Sequence, residues 1–255
     1  DRLLTESVTA LMAEGLVSFD EAIADGTKVK ASAGVGSYGG ASRFERIERV
    51  AAERIARLKA EAEADPGASA RRATAAQERG ARELAERARK AAATLEELKR
   101  EKARRAKSNP TGEAQKGEPR ASLTDPEARP MRFADGSVKA GYNIQVVAAS
   151  NGFVLALAAT SRRNDLGLAR PMMDEIKARY RRLPKRLLLD TKYAAEADIV
   201  DLAEDPLGPV TVYAPVPGEV PGDQVRPDTL RRRLARRAKE HQALKDWRAR
   251  MNTSQ

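Results

Sequence analysis

The sequence predicts an α/β fold: a mixed sheet interrupted, after its first strand, by a long α-helical hairpin. Three observations predict it. Short apolar runs of strand character recur at 19–31, 142–147, 153–158, 187–190 and 210–214. Helical patterns separate the last three of these runs. Between the first and second, 41–107 shows an Ala-rich stepping of three and four residues. Only 4% of the 255 residues are aromatic and 33% are charged, so part of the chain must be extended helix rather than compact core.

The elements follow in order. Leu4, Val8, Leu11 and Met12 give 3–16 a helical spacing, with Gly15 as the C-terminal cap. In 19–31, Ile23, Asp25, Thr27, Val29 and Ala31 share one parity of an extended chain. That strand holds Asp25 on one face with Ile23 and Val29, which is costly if the face is buried and the acid unpaired. Residues 34–40 are a Gly/Ser loop. Phe44, Ile47, Ala51, Ile55, Leu58 and Ala62 form one helical stripe. Asp65-Pro66-Gly67 marks a turn, and Gly80, Leu84, Ala88, Ala91, Leu95 and Leu98 form the returning stripe. Two such helices predict an αα-hairpin with coiled-coil-like packing. Residues 108–120 read as a linker. A hairpin turn at Ser150-Asn151-Gly152 joins the next two strands. A helix over 166–180, a strand over 187–190, a helix over 194–203 and a strand over 210–214 complete the α/β part. The expected organisation is therefore 1–40 (helix and first strand), 41–107 (helical insertion), 108–120 (linker), 121–218 (rest of the sheet domain) and 219–255 (a basic helical segment).

Composition narrows the chemistry. No cysteine is present, which removes disulfides, thiolate metal sites and thiol nucleophiles. His241 is the sole histidine, so a multi-His metal site has no ligands. No run approaches the roughly 20 apolar residues of a membrane helix, and a cytoplasmic, nucleoid-associated protein is expected. The net charge of +10 and pI near 9.9 point to a polyanionic partner, most simply double-stranded DNA. The insertion holds 19 Lys/Arg against 12 Asp/Glu, and 226–250 holds 10 against 3. Arg231, Arg232, Arg233, Arg236 and Arg237 would contact phosphates if their helix lies along DNA; a solvated helix face is the other reading.

The predicted order, strand, insertion, two strands, helix, strand, helix, strand, is that of the ribonuclease H topology. In that topology the first and fourth strands are neighbours. Asp25 on the first and Asp190 at the end of the fourth then face each other. Two carboxylates brought together repel, and a divalent cation removes the penalty. Oxygen ligands suit Mg²⁺, or Mn²⁺. Such ions activate a water or 3′-hydroxyl for in-line attack on a phosphodiester.

Several stretches resemble one family. They are Asp25-Gly26-Thr27-Lys28-Val29-Lys30-Ala31-Ser32-Ala33-Gly34, Leu123-Thr124-Asp125-Pro126-Glu127-Ala128-Arg129, Gly141-Tyr142-Asn143-Ile144-Gln145-Val146, Val210-Thr211-Val212-Tyr213-Ala214-Pro215-Val216-Pro217 and Trp247-Arg248-Ala249-Arg250-Met251. In order and spacing the chain resembles the DDE transposases of bacterial insertion elements, the IS1182-like members of the IS4-like group. The resemblance implies a ribonuclease H-like core, DNA cleavage and strand transfer at element ends, Mg²⁺ or Mn²⁺ as cofactor, and a homodimer when full length. It assigns Asp25 and Asp190 as the first two acids of the catalytic and metal-binding triad. Two departures are visible. Thr191-Lys192 stand where the family has glycine-rich residues. The third acid, a Glu in a Tyr-x-x-Arg-x-x-x-Glu setting, is expected beyond Gln255, so the resemblance implies a C-terminally truncated, inactive fragment. Glu240 is a substitute whose surroundings do not match that motif.

Other residues carry two readings each. Asp125 is a turn starter or a visitor to the metal site. Asp165 is a helix cap or a ligand. Trp247 is an anchor for C-terminal structure or a base-stacking platform. His241 is expected on the surface. Two rivals to the transposase remain: a DNA-binding or scaffold remnant with a degenerate ribonuclease H-like domain, and a metal-dependent nuclease with its third acid elsewhere.

Overall fold

A computed structural model describes residues 2–64, 68–108, 117–216 and 240–252. The fold is mixed α/β, with a mixed sheet and long helices. The chain divides into two units, Asp1–Val29 with Asn143–Gln255, and Lys30–Tyr142.

The first unit begins with α1 (Arg2–Ala13). Gly15, at φ 71°, and the bond from Leu16 N to Leu11 O end this helix in the left-handed cap that the sequence predicts. Strand β1 (Glu21–Lys30) follows. The chain returns with β5 (Val138–Ala149) and β6 (Val154–Thr160), an antiparallel pair. Then come α4 (Ala169–Tyr180), β7 (Arg186–Leu188), α5 (Glu196–Ala203), β8 (Thr211–Tyr213) and α6 (Gln242–Asn252). In space the strands run β6-β5-β1-β7-β8. Strands β1, β7 and β8 are parallel, in the register Ala22↔Leu187↔Val212 and Ile23↔Leu188↔Tyr213. Ser150 N donates to Glu21 O, and Gly26 lies against Gln145, so β1 and β5 run antiparallel.

This register sorts the side chains into two faces. Ala22, Ala24, Val147, Ala149, Leu155, Leu187 and Val212 are buried in one cluster with Val8, Met173, Ile176, Leu202 and Trp247. The opposite parity of β1 is open: Ile23 and Val29 are 44% and 48% exposed. The expected pairing of Asp25 with Ile23 and Val29 therefore carries no desolvation cost. The leucine run divides the same way, with Leu187 and Leu189 buried and Leu188 half-buried.

Polar contacts lock the helices over the buried face. Tyr180 packs edge-on against Phe19 at 5.6 Å, and its hydroxyl donates to Leu155 O. Trp247 Nε1 donates to Ala214 O at 2.9 Å. Trp247 is thus a core residue of this unit, rather than an anchor for structure further along the chain. The Asp205 carboxylate, its side chain fully buried, accepts from Lys177 Nζ at 2.8 and 3.0 Å and from Leu207 N at 2.9 Å, and pairs with Arg170 at 2.9 Å.

In the second unit β2 (Tyr38–Gly39) pairs with β3 (Ala121–Ser122), and β4 (Arg129–Arg132) pairs with the start of β5. Two long helices, α2 (Ala41–Ala64) and α3 (Ala68–Ser108), pack on each other. Phe44, Ala51 and Leu58 are buried on α2 and Ala81, Ala88 and Leu95 on α3, both at seven-residue intervals. That is the coiled-coil period, and the alanines let the backbones approach. The expected stripe is corrected on α3: Leu84 is 40% exposed, and Ala81 and Ala85 take the inner positions. Much of the hairpin's charge is internally paired along its surface, as in Arg82–Glu78, Lys90–Glu86 and Arg105–Glu101.

The Asp205 cluster yields a pH test. Burial alone would raise the Asp205 carboxyl, but the Lys177 ammonium, the Leu207 N–H and Arg170 outweigh it and hold it below its ordinary value. A depressed folded-state value means stability that is present above the unfolded pKa of about 4. It is lost as pH falls through the folded value. Asp205→Asn is expected to cost about 2 kcal/mol at neutral pH and to flatten the acid limb of the stability curve, measured by urea denaturation between about pH 7 and pH 3.

Candidate functional site

Strand β1 places Asp25 and strand β7 leads to Asp190. The last paired residues of the parallel ladder are Ile23 and Leu188. Asp25 follows Ile23 by two residues within β1, and Asp190 follows Leu188 by two residues, just beyond the end of β7. Adjacent strands lie about 5 Å apart, so Asp25 in the middle of β1 and Asp190 just after the carboxyl end of β7 belong to neighbouring stretches of chain. Both residues are exposed.

Each acid spends one oxygen on local backbone. Asp25 Oδ1 accepts from Gly26 N at 2.7 Å. Asp190 Oδ1 accepts from Tyr193 N at 2.9 Å, closing a turn in which Tyr193 N also reaches Asp190 O at 3.2 Å. Thr191 and Lys192 occupy the middle of this turn. Among the described residues neither carboxylate makes a further hydrogen bond or ion pair. Two carboxylates on adjacent strands, each with oxygen capacity to spare, form a donor set that fits a hard divalent cation such as Mg²⁺ or Mn²⁺. Among the described residues no group of three acids or histidines is close enough to share an ion.

A polar network lies on the buried face beside Gly26 of β1. Asn143 Nδ2 and Gln145 Nε2 both donate to Asp165 Oδ1, at 2.7 and 2.9 Å. The Tyr193 hydroxyl donates to Gln145 Oε1. Tyr193 is fully buried, and Asn143 and Gln145 are nearly so. Burial first, then the carboxylates of Asp165, Asp25 and Asp190, push the Tyr193 hydroxyl far above its ordinary value, so it remains a donor. Gly26 closes over the network. A Cβ there would come within 2.3 Å of Asp165 Oδ1 and 2.6 Å of Gln145 Nε2.

The remaining sequence candidates fall elsewhere. Asp165 does not cap α4. That helix begins after Leu168, and its first turn is served by Asp198, whose Oδ2 accepts from Arg170 N at 3.2 Å. Asp125 is a turn residue: its Oδ1 accepts from Tyr142 Oη at 2.6 Å and from Ala128 N at 3.3 Å. Glu240 is held by Arg248, which also binds Glu196 at 2.8 Å, and its side chain is 6% exposed. His241 is partly exposed, with Nε2 3.1 Å from Glu204. Arg231, Arg232, Arg233, Arg236 and Arg237 lie outside the described residues.

The network of Asn143, Gln145, Asp165 and Tyr193 was missing from the sequence-derived site. A signal for it exists. Asn143 and Gln145 share the parity of core-facing Val147 and Ala149, so two amides were due to be buried with them. Gly26 within a strand is the second signal, a mark of close approach.

Gly26→Ala is expected to cost about 1–3 kcal/mol, because both side chains it meets are already pinned. Urea denaturation measures this, and an unchanged midpoint would show that the network yields freely. Comparison of the chain with protein-family models, curated proteins and solved structures finds no match in any of the three.

Proposed function

We propose that this chain carries the ribonuclease H-like core of a DDE-type DNA transposase, with Asp25 and Asp190 as the first two ligands of its catalytic divalent metal. The observation that carries the reading is that each acid follows the Ile23↔Leu188 pair of two adjacent parallel strands by two residues, Asp25 within β1 and Asp190 just past β7, each with oxygen to spare. The strand order β6-β5-β1-β7-β8, with β1 parallel to β7 and β8, supports the same reading, since a ribonuclease H-like sheet requires that order and those directions.

A bound Mg²⁺ or Mn²⁺ would supply Lewis-acid activation of a hydroxyl attacking a DNA phosphodiester. The protein's part is to hold two anionic ligands near each other, one on β1 and one in the turn tied down directly after β7. The substrate is double-stranded DNA, the element's terminal repeats and the target, drawn to the chain by its net charge of +10. Two copies acting on paired ends is the assembly that accompanies this chemistry. Glu240, committed to Arg248, is not offered as the third acid.

The first test is metal binding. Mn²⁺ titrated into the 255-residue chain, followed by loss of the free-ion EPR signal, is expected to bind with an affinity that falls at least about tenfold in both Asp25→Asn and Asp190→Asn. Equal affinity in all three proteins would refute the metal-site assignment. The second is DNA binding. With five arginines on phosphates, the logarithm of affinity for a short duplex should fall against the logarithm of salt with a slope of about −4 to −5. Retained, salt-sensitive DNA binding alongside metal binding indifferent to both aspartates would favour the DNA-binding scaffold instead.

A further inference from the structure

We propose that Tyr193, Gln145 and Asp165, with Asn143, form a buried relay of positioning residues that fixes the orientation of Asp190. The inference rests on the reading of Asp25 and Asp190 as metal ligands, and concerns residues that reading does not use.

The relay is continuous. Asp190 Oδ1 accepts from Tyr193 N at 2.9 Å. The side chain of the same tyrosine passes into the core, where its hydroxyl donates to Gln145 Oε1. Gln145 Nε2 donates to Asp165 Oδ1 at 2.9 Å, and Asn143 Nδ2 reaches the same oxygen at 2.7 Å. The direction of every bond is forced. An ionised carboxylate only accepts, so both amides must present NH₂ to Asp165. That leaves the Gln145 carbonyl facing Tyr193, and the tyrosine has one proton to give it. No member can reverse without breaking a neighbour.

The ends of the relay are also fixed. Asp165 O accepts from Leu168 N at 3.1 Å in the turn that opens α4. Asn143 and Gln145 belong to β5, paired on both sides. The element attached to this frame is the turn Asp190-Thr191-Lys192-Tyr193, which follows β7 after Leu188. Its backbone is tied down at Tyr193, three residues from the acid.

A network of this kind has to be explained, because burying the polar groups of Asn143, Gln145 and Tyr193 is costly unless all are satisfied. Apolar residues of similar volume fill such a site at no loss of stability. What an apolar core would not provide is a single rotation of Tyr193, and hence a single position for the N–H that holds Asp190. Partners of metal-ligating carboxylates set affinity in this way, and losing one costs about tenfold or more.

Tyr193→Phe is the direct test, since it removes one oxygen and keeps the ring that packs in the core. In the full chain it is expected to lower Mn²⁺ affinity about tenfold by EPR titration, while circular dichroism shows a folded protein. The same substitution in an Asp190→Asn background should have no further effect, because there is no carboxylate left to position. Gln145→Leu should repeat the pattern. Mn²⁺ affinity within twofold of the parent in Tyr193→Phe, or an equal loss with and without Asp190, overturns the relay. If Asp190→Asn alone leaves Mn²⁺ binding intact, the metal-site reading falls and the relay falls with it; if Asp190→Asn weakens binding and Tyr193→Phe does not, only the relay fails.

Discussion

The parallel pairing of β1 with β7 is the constraint on which the rest of the first unit depends. Three register pairs, Glu21↔Arg186, Ala22↔Leu187 and Ile23↔Leu188, join segments more than 160 residues apart in sequence. Parallel strands cannot be joined by a short turn, so the intervening chain must cross over. A slip of one residue would exchange the two faces. Ala22 and Leu187 would leave the core, and Asp25 would turn to the other face of the sheet. One register thus sets both the hydrophobic cluster and the spacing of the acids.

The choice of alanine at Ala22 and Ala24 follows from this packing. Small residues on the inner face of β1 let larger ones approach from β7 and the helices: Leu187, Met173 and Ile176 are all essentially inaccessible to solvent. At the next inward position, Gly26, even a methyl group has no room. The taper from Ala to Gly along β1 makes space for polar side chains against its middle. Apolar packing gives way there to the amides of Asn143 and Gln145 and to Tyr193. The sheet is greasy at one end and hydrogen-bonded at the other, and the two exposed acids sit at the hydrogen-bonded end.

The helical hairpin obeys a different rule. Its buried positions repeat every seven residues, and its surface charges are arranged in pairs three or four residues apart. Local spacing decides almost everything about such a structure. Exposed pairs of this kind each contribute only a few tenths of a kcal/mol, so the hairpin is held by the seam of Phe44, Ala88, Ala91 and Leu95, joined at its base by Ala121. The correction at Leu84 is a matter of phase. A three-four stepping fits two adjacent stripes of one helix, and only the partner helix selects between them.

The order of strands and helices, the turn at Ser150-Asn151-Gly152, the cap at Gly15 and the existence of a long hairpin were legible in the sequence, because each depends on residues a few positions apart. The candidate pair Asp25 and Asp190 was proposed for a related reason: one lies on a strand pattern and the other ends one, and strand order follows from connectivity rules. The relay of Asn143, Gln145, Asp165 and Tyr193 was not. Its members lie up to 50 residues apart, and no local period relates them. Asp165 shows the limit most clearly, since before a helix an acid looks like a cap whatever it does. By itself the sequence determined the elements and the parity of each strand, which are properties of the backbone. Only the tertiary structure decided which face was buried, which amides met Asp165, and that Trp247 closes the core of its own unit, because those outcomes depend on which distant side chains share a volume from which water is excluded.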